Sequence, residues 1–213
     1  MGPLDRPTVA GRGVASAGRV TRVIDRGAIV AAGVGVGMAL TIAASFLLVI
    51  PIEPIYWIVA LPAGLLIGYY ANQRSDRALG PWRRIIANAV AAGLATGLTM
   101  AGLLLLVKVL FFFGDSGYPD FNRIDADTRQ PIPPFCQNGA GCVYARYLAQ
   151  GSGPELAAGG IADVDAFTAF YWRQQASAAA TVLVLTLVGG LGGGLLYGVF
   201  RPKPSRVART VPG

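Results

Sequence analysis

Cys136 and Cys142 are the only cysteines in the chain, separated by Gln-Asn-Gly-Ala-Gly. The dipeptide Asn138-Gly139 favours a turn that brings its flanks together. The pair is expected to form a disulfide, which on the chain-entropy account contributes about 2 kcal/mol for so small a loop. The spacing is not the C-x-x-C of thiol–disulfide exchange. Two thiols in a chain without histidine make a poor metal site. The absence of histidine also removes the commonest haem ligand and the general base best matched to neutral pH. Carboxylates gather at Asp115, Asp120, Asp125 and Asp127, with a D-x-D pair at the last two. Such a pair can hold a divalent cation, but the EF-hand order of ligands and glycine is missing, so a solvated acidic loop is expected. No Walker loop and no G-x-S-x-G elbow is found. No cofactor, metal or catalytic residue is therefore expected.

The elements that must position these residues are apolar. The runs Gly27–Ile50, Ile55–Ala71, Ile85–Val107 and Ala176–Phe200 contain no charged residue. Each is long enough, or nearly so, to cross a hydrocarbon core of about 30 Å at about 1.5 Å per residue. Only 14% of all residues are charged, against about 25% in a soluble domain. The first run is too long for the h-region of a signal peptide, so a retained helix is expected. Ion-coupled transporters and proton relays place ionisable groups at mid-membrane, and none stands there. The polar residues of the spans are mild, such as Asn88, Thr96 and Thr186. The threonine and serine hydroxyls are expected to bond back to their own helix.

Charge sets the orientation. If the spans alternate, one side holds residues 1–26, the segment between spans two and three, and the C-terminal tail, with thirteen basic residues against three acids. The other side holds five basic residues against eight acids. The net +7 is thus a strongly uneven sum and is no sign of nucleic-acid binding. The positive-inside rule places both termini in the cytoplasm. Residues 1–26 and 201–213 are basic, rich in Gly or Pro, and expected to lie outside any fold. The cysteines then fall on the oxidising side.

Every span carries small residues four apart: Gly33 and Gly37, Gly64 and Gly68, Gly93 and Gly97, and in the fourth Gly189, Gly193, Gly194 and Gly198. Residues so spaced share a helix face, and glycine there lets backbones approach. Packing within one bundle is the favoured reading, and self-association through the fourth helix is the alternative. Lys108, at the outer end of span three, is expected to snorkel to the headgroups; the other reading is a buried cation paired with Glu53 in the Pro-Ile-Glu-Pro turn. Aromatic residues at the span ends, among them Phe111–Phe113 and Phe170–Trp172, are expected in interfacial belts. The stretch 160–175 is amphipathic; it either lies on the membrane surface or extends span four outward.

The expected fold is an all-α integral membrane protein, a four-transmembrane-helix bundle with both termini inside. Its segments are 1–26, spans one to three within 27–113, a disulfide-bearing extracytoplasmic loop 114–175, span four at 176–200, and a tail 201–213. One short and one long outer loop resemble the layout of tetraspanins, whose Cys-Cys-Gly motif this chain does not contain. The wealth of Ala, Gly, Arg and Pro points to a GC-rich bacterial source and its plasma membrane. The expected partners are the lipid bilayer and a larger membrane complex or further copies of the chain. The expected role is a non-catalytic accessory subunit or scaffold; a small oligomeric transporter or channel is the alternative.

Overall fold

A computed structural model describes residues 24–48, 53–75, 80–114, 125, 127–130, 134, 136 and 138–201, with the side chains of 45–48 and 53–57 excepted. The basic segments before residue 24 and after 201 lie outside the described residues, as does most of 115–133. The helices are α1 (Arg26–Leu48), α2 (Glu53–Gln73), α3 (Trp82–Gly114), α4 (Ala140–Tyr147), α5 (Gly153–Ala158) and α6 (Val164–Phe200). A wider turn of helix, Leu148–Ser152, joins α4 to α5. Three helices are long and apolar enough to cross a membrane: α1 over Arg26–Ala44, α3 and α6. α2 packs with them in one bundle.

α6 is one continuous helix of 37 residues, so the amphipathic stretch extends it rather than lying flat. At about 1.5 Å per residue it is about 55 Å long, far more than the hydrocarbon core needs. Its start is fixed by Asp163, whose carboxylate accepts the N–H of Ala166 at 2.7 Å, a normal N-cap. α3, with 33 residues, is similarly overlong. The excess of both helices carries α4 and α5, which form a cap over one end of the bundle.

α6 sits between α2 and α3, and its glycines make that possible. A methyl group on Gly189 would strike the Leu61 carbonyl, and one on Gly193 the Leu65 carbonyl, both on α2. One on Gly190 would stand 3.1 Å from the Ala89 carbonyl, and one on Gly194 would overlap the Ala89 side chain, both on α3. The run is therefore two overlapping G-x-x-x-G pairs, turned about 100° apart by the helix and facing different neighbours. The neighbours reciprocate. Gly64 and Gly68 meet the backbone of Thr186 and Gly190, and Gly93 and Gly97 meet Gly190 and Thr186. Gly198 lies under the Trp82 ring. Without a hydrophobic drive between helices in lipid, such close packing is the main source of association.

α1 departs from expectation. Gly33 and Gly37 point away from the bundle and meet nothing within 4 Å. The packed face is Ala28, Ala31, Gly35, Ala39 and Ala43, with Gly35 against Thr96 of α3. Alanine serves as the small residue here, and the helix turns its second small face outward.

At the end opposite the cap, side chains clasp the helices. Asp25 accepts from the Gly27 N–H at 3.0 Å and from the Ser75 hydroxyl, so it caps α1 and ties it to the end of α2. Asn72 donates to the carbonyls of Gly68 and, across to α3, of Ile85 at 3.1 Å. Arg201 donates to Gly80 O at 2.8 Å and lies 6.0 Å from the Trp82 ring. In the interior, the hydroxyls of Thr96 and Thr186 bond to Ala92 O and Val182 O of their own helices.

Replacing Gly193 with Leu should lower the melting temperature in detergent far more than replacing Leu195 with Ile. The leucine must push α2 off α6, at or above the roughly 1–3 kcal/mol of ordinary overpacking, whereas the half-exposed Leu195 tolerates a volume-conserving swap at less than about 1.5 kcal/mol. Equal melting temperatures would mean that α2 and α6 do not touch along this face.

Candidate functional site

The cap is built around aromatic residues at the ends of α3 and α6. Phe112, Val143, Leu156, Ile161, Phe167 and Tyr171 form one buried cluster. Phe112 lies 4.7 Å from Tyr171 and 5.2 Å from Trp172, and Phe167 lies 5.1 Å from both Tyr144 and Tyr147. Phe112 and Tyr171 are therefore core residues and not part of an interfacial belt. The cap covers them, which the span ends alone do not reveal. Phe113 and Phe170 remain exposed.

The cysteines pin the start of this cap. Cys136 and Cys142 form a disulfide with their Cα atoms 5.5 Å apart. Gly139 between them adopts φ 117°, a region open to glycine and costly for other residues. Asn138 donates to Gly114 O at 3.0 Å, which ties the turn to the end of α3. α4 then buries Cys142, Val143 and Arg146. The chain kinks at Gly151, φ 87°, before α5. The D-x-D carboxylates serve a turn. Asp125 accepts the N–H groups of Asp127 at 2.9 Å and Thr128 at 2.8 Å. The Thr128 N–H, then its hydroxyl, then the Asp127 N–H hold the Asp125 carboxyl below the usual carboxylate range. Among the described residues no three His, Cys, Asp or Glu gather as metal ligands.

Three long polar side chains are buried in the cap or next to it. Lys108, Arg146 and Gln175 are all buried, at 6%, 3% and 3% exposure. α3 and α6 run antiparallel with a constant offset: Phe112 meets Tyr171, Gly97 meets Thr186, Gly93 meets Gly190 and Ala89 meets Gly194. The same offset sets Lys108 level with Gln175, one turn below Phe112 and Tyr171. Lys108 is buried within the protein, so it does not reach the headgroups as a snorkelling residue would. The Glu53 side chain lies outside the described residues. Gln175 Oε1 has no hydrogen-bond partner among the described residues. Sequence reasoning missed Arg146 and Gln175, because each looks like an ordinary surface residue until α4 is folded over α3 and α6.

Lys108 and Gln175 thus form a buried polar level between the apolar bundle and the aromatic cluster, and Arg146 is buried separately on α4. Lys108 and Arg146 are each engaged within the protein, and no nucleophile–base pair is found among the described residues. Comparison with protein-family models, with curated proteins and with solved structures gives no match.

Cys136 and Cys142 should resist alkylation in protein purified without reductant and become reactive once reduced. Free thiols before reduction would contradict both the disulfide and the oxidising side that it implies.

Proposed function

We propose that this chain is a non-catalytic, multi-pass membrane protein that serves as an accessory subunit or scaffold of a bacterial membrane complex and offers its cap to a partner. The observation that carries this reading is how the interior is used. Both glycine faces of α6 are filled by α2 and α3, and the threonines and Asn72 of the bundle bond to backbone carbonyls. The interior is thus committed to packing, whereas the cap has its own aromatic core and stands on helices longer than the membrane needs. The test is recovery from membranes with mild detergent. Co-purification of a larger membrane complex, lost when residues 140–158 are replaced by a short linker, is the expected result; a solitary chain would count against it.

A second reading, a small oligomeric transporter or channel, draws on α1. Its outward Gly33 and Gly37 offer a close-packing face to another copy. Flux of a labelled solute through purified protein in liposomes would favour it.

The finer topology belongs to the same proposal. α2 is a fourth crossing: its 21 residues span about 32 Å, and it packs against α1, α3 and α6. Both termini are cytoplasmic by the arginine bias. Single cysteines near Asp125 should label in intact cells, and those near Arg77 should not.

The pairing of Lys108 with Glu53, the alternative to a snorkelling lysine, is proposed with it. Carrying the Asn72–Ile85 pairing along α2 and α3 sets Glu53 opposite Leu104, one turn from the buried Lys108. Lys108→Met and Glu53→Gln should couple in a double-mutant cycle, with the two changes together costing less than the sum of the single ones. Additive effects in this cycle would exclude the pair.

A further inference from the structure

α6 has a second face at the cap end. Phe170, Arg173, Gln174 and Ser177 recur at helical spacing on the side opposite the buried line Phe167, Tyr171, Gln175 and Ala179. All four are exposed. Facing them, the chain returns from α5 through Gly159 and Gly160. Gly160 adopts φ 74°, and the turn is closed by Ile161 N donating to Leu156 O at 2.9 Å. Ile161 thereby enters the cap core. Between this turn and α6 lies an open groove of about 490 Å³, lined by Gly159, Ile161, Phe170, Arg173, Gln174 and Ser177.

Its position and charge say what it would hold. The charge-free run of α6 begins at Ala176, so the groove straddles the boundary between polar and apolar helix. Arg173 stands at the polar end and Ser177, one turn on, at the apolar end. Arg173 makes no hydrogen bond or ion pair with any described residue. The acids nearest on its own helix, Asp165 and Asp163, lie about 12–15 Å further up the axis, beyond a Debye length of about 8 Å. Among the described residues the guanidinium is thus an unengaged, planar donor at the end of the apolar run, where phosphates are the abundant anions.

We propose that this groove is a binding site for an anionic phospholipid of the phosphatidylglycerol class. Its phosphate rests on Arg173, its glycerol and ester oxygens meet Gln174 and Ser177, and its acyl chains run down α6 past Phe170. The apolar wall of Ile161 and Phe170 has no use for an inorganic anion, which favours a lipid over free phosphate. A zwitterionic choline lipid would bring a second cation to Arg173 and is disfavoured. The site stands apart from the accessory-subunit reading, since lipid binding here requires no protein partner.

The test uses the full chain in detergent, with native mass spectrometry after adding dioleoyl phosphatidylglycerol and dioleoyl phosphatidylcholine in equal amounts. The native protein should retain the glycerol lipid about fivefold more than the choline lipid, the factor expected of one interfacial arginine. Arg173→Gln should bring the two to parity, and Arg83→Gln, at the opposite end, should leave the preference unchanged. Ser177→Leu, which fills the groove and keeps the cation, should also abolish the preference, and it decides the matter if the Arg173 variant melts early. Equal retention by the native protein would overturn the proposal. So would an unchanged preference in both groove variants, or displacement of the lipid by inorganic phosphate.

Discussion

Backbone contact along α6 is the constraint on which the rest depends. Lipid offers no hydrophobic reward for bringing two apolar helices together, so association has to come from dispersion at short range. α6 meets two neighbours at once, and a side chain on either face would separate it from one of them. Glycines at 189 and 193 serve α2, and glycines at 190 and 194 serve α3. α2 and α3 answer with glycines of their own, so α2 meets α6 backbone to backbone, and α3 meets it through backbone and small side chains. α1 is held through alanines, through Gly35 against Thr96, through Gly27 against the backbone at the end of α2, and by the Asp25–Ser75–Asn88 clasp at the end opposite the cap.

The fixed register of α3 on α6 carries consequences to the other end of the bundle. It aligns Phe112 with Tyr171 and sets Lys108 beside Gln175 beneath them. The overlong ends of both helices then form the stalk on which α4 and α5 fold, with the disulfide and the Asn138–Gly114 bond holding the first turn in place. A lysine at this depth would reach the headgroups if the helix ends stood bare. Lys108 is instead enclosed within the protein.

The apolar runs, the glycine faces of α2, α3 and α6, the short helix after the cysteines and the disulfide were legible because each rests on local spacing. α1 was not. Gly33 and Gly37 have the same spacing as the packed pairs, while Ala28, Ala31, Ala39 and Ala43 make a second small face, and only the partner helix selects between them. Phe112 and Tyr171 sit where interfacial belts sit in sequence, and their burial depends on a cap whose helices are too short to show a strong period. Arg146 and Gln175 were invisible for the same reason: their burial is a product of tertiary folding.

The most direct test of intrachain packing along α6 is a crosslink that distinguishes one chain from two. Tyr69 of α2 and Tyr197 of α6 lie edge to face with ring centres 5.6 Å apart. In a chain whose native cysteines are replaced by serine, Tyr69→Cys and Tyr197→Cys would be oxidised in native membranes and the product sized by denaturing electrophoresis. A rapid crosslink within the monomer is the predicted result. A covalent dimer in its place would mean that the glycine faces of α6 serve a contact between chains.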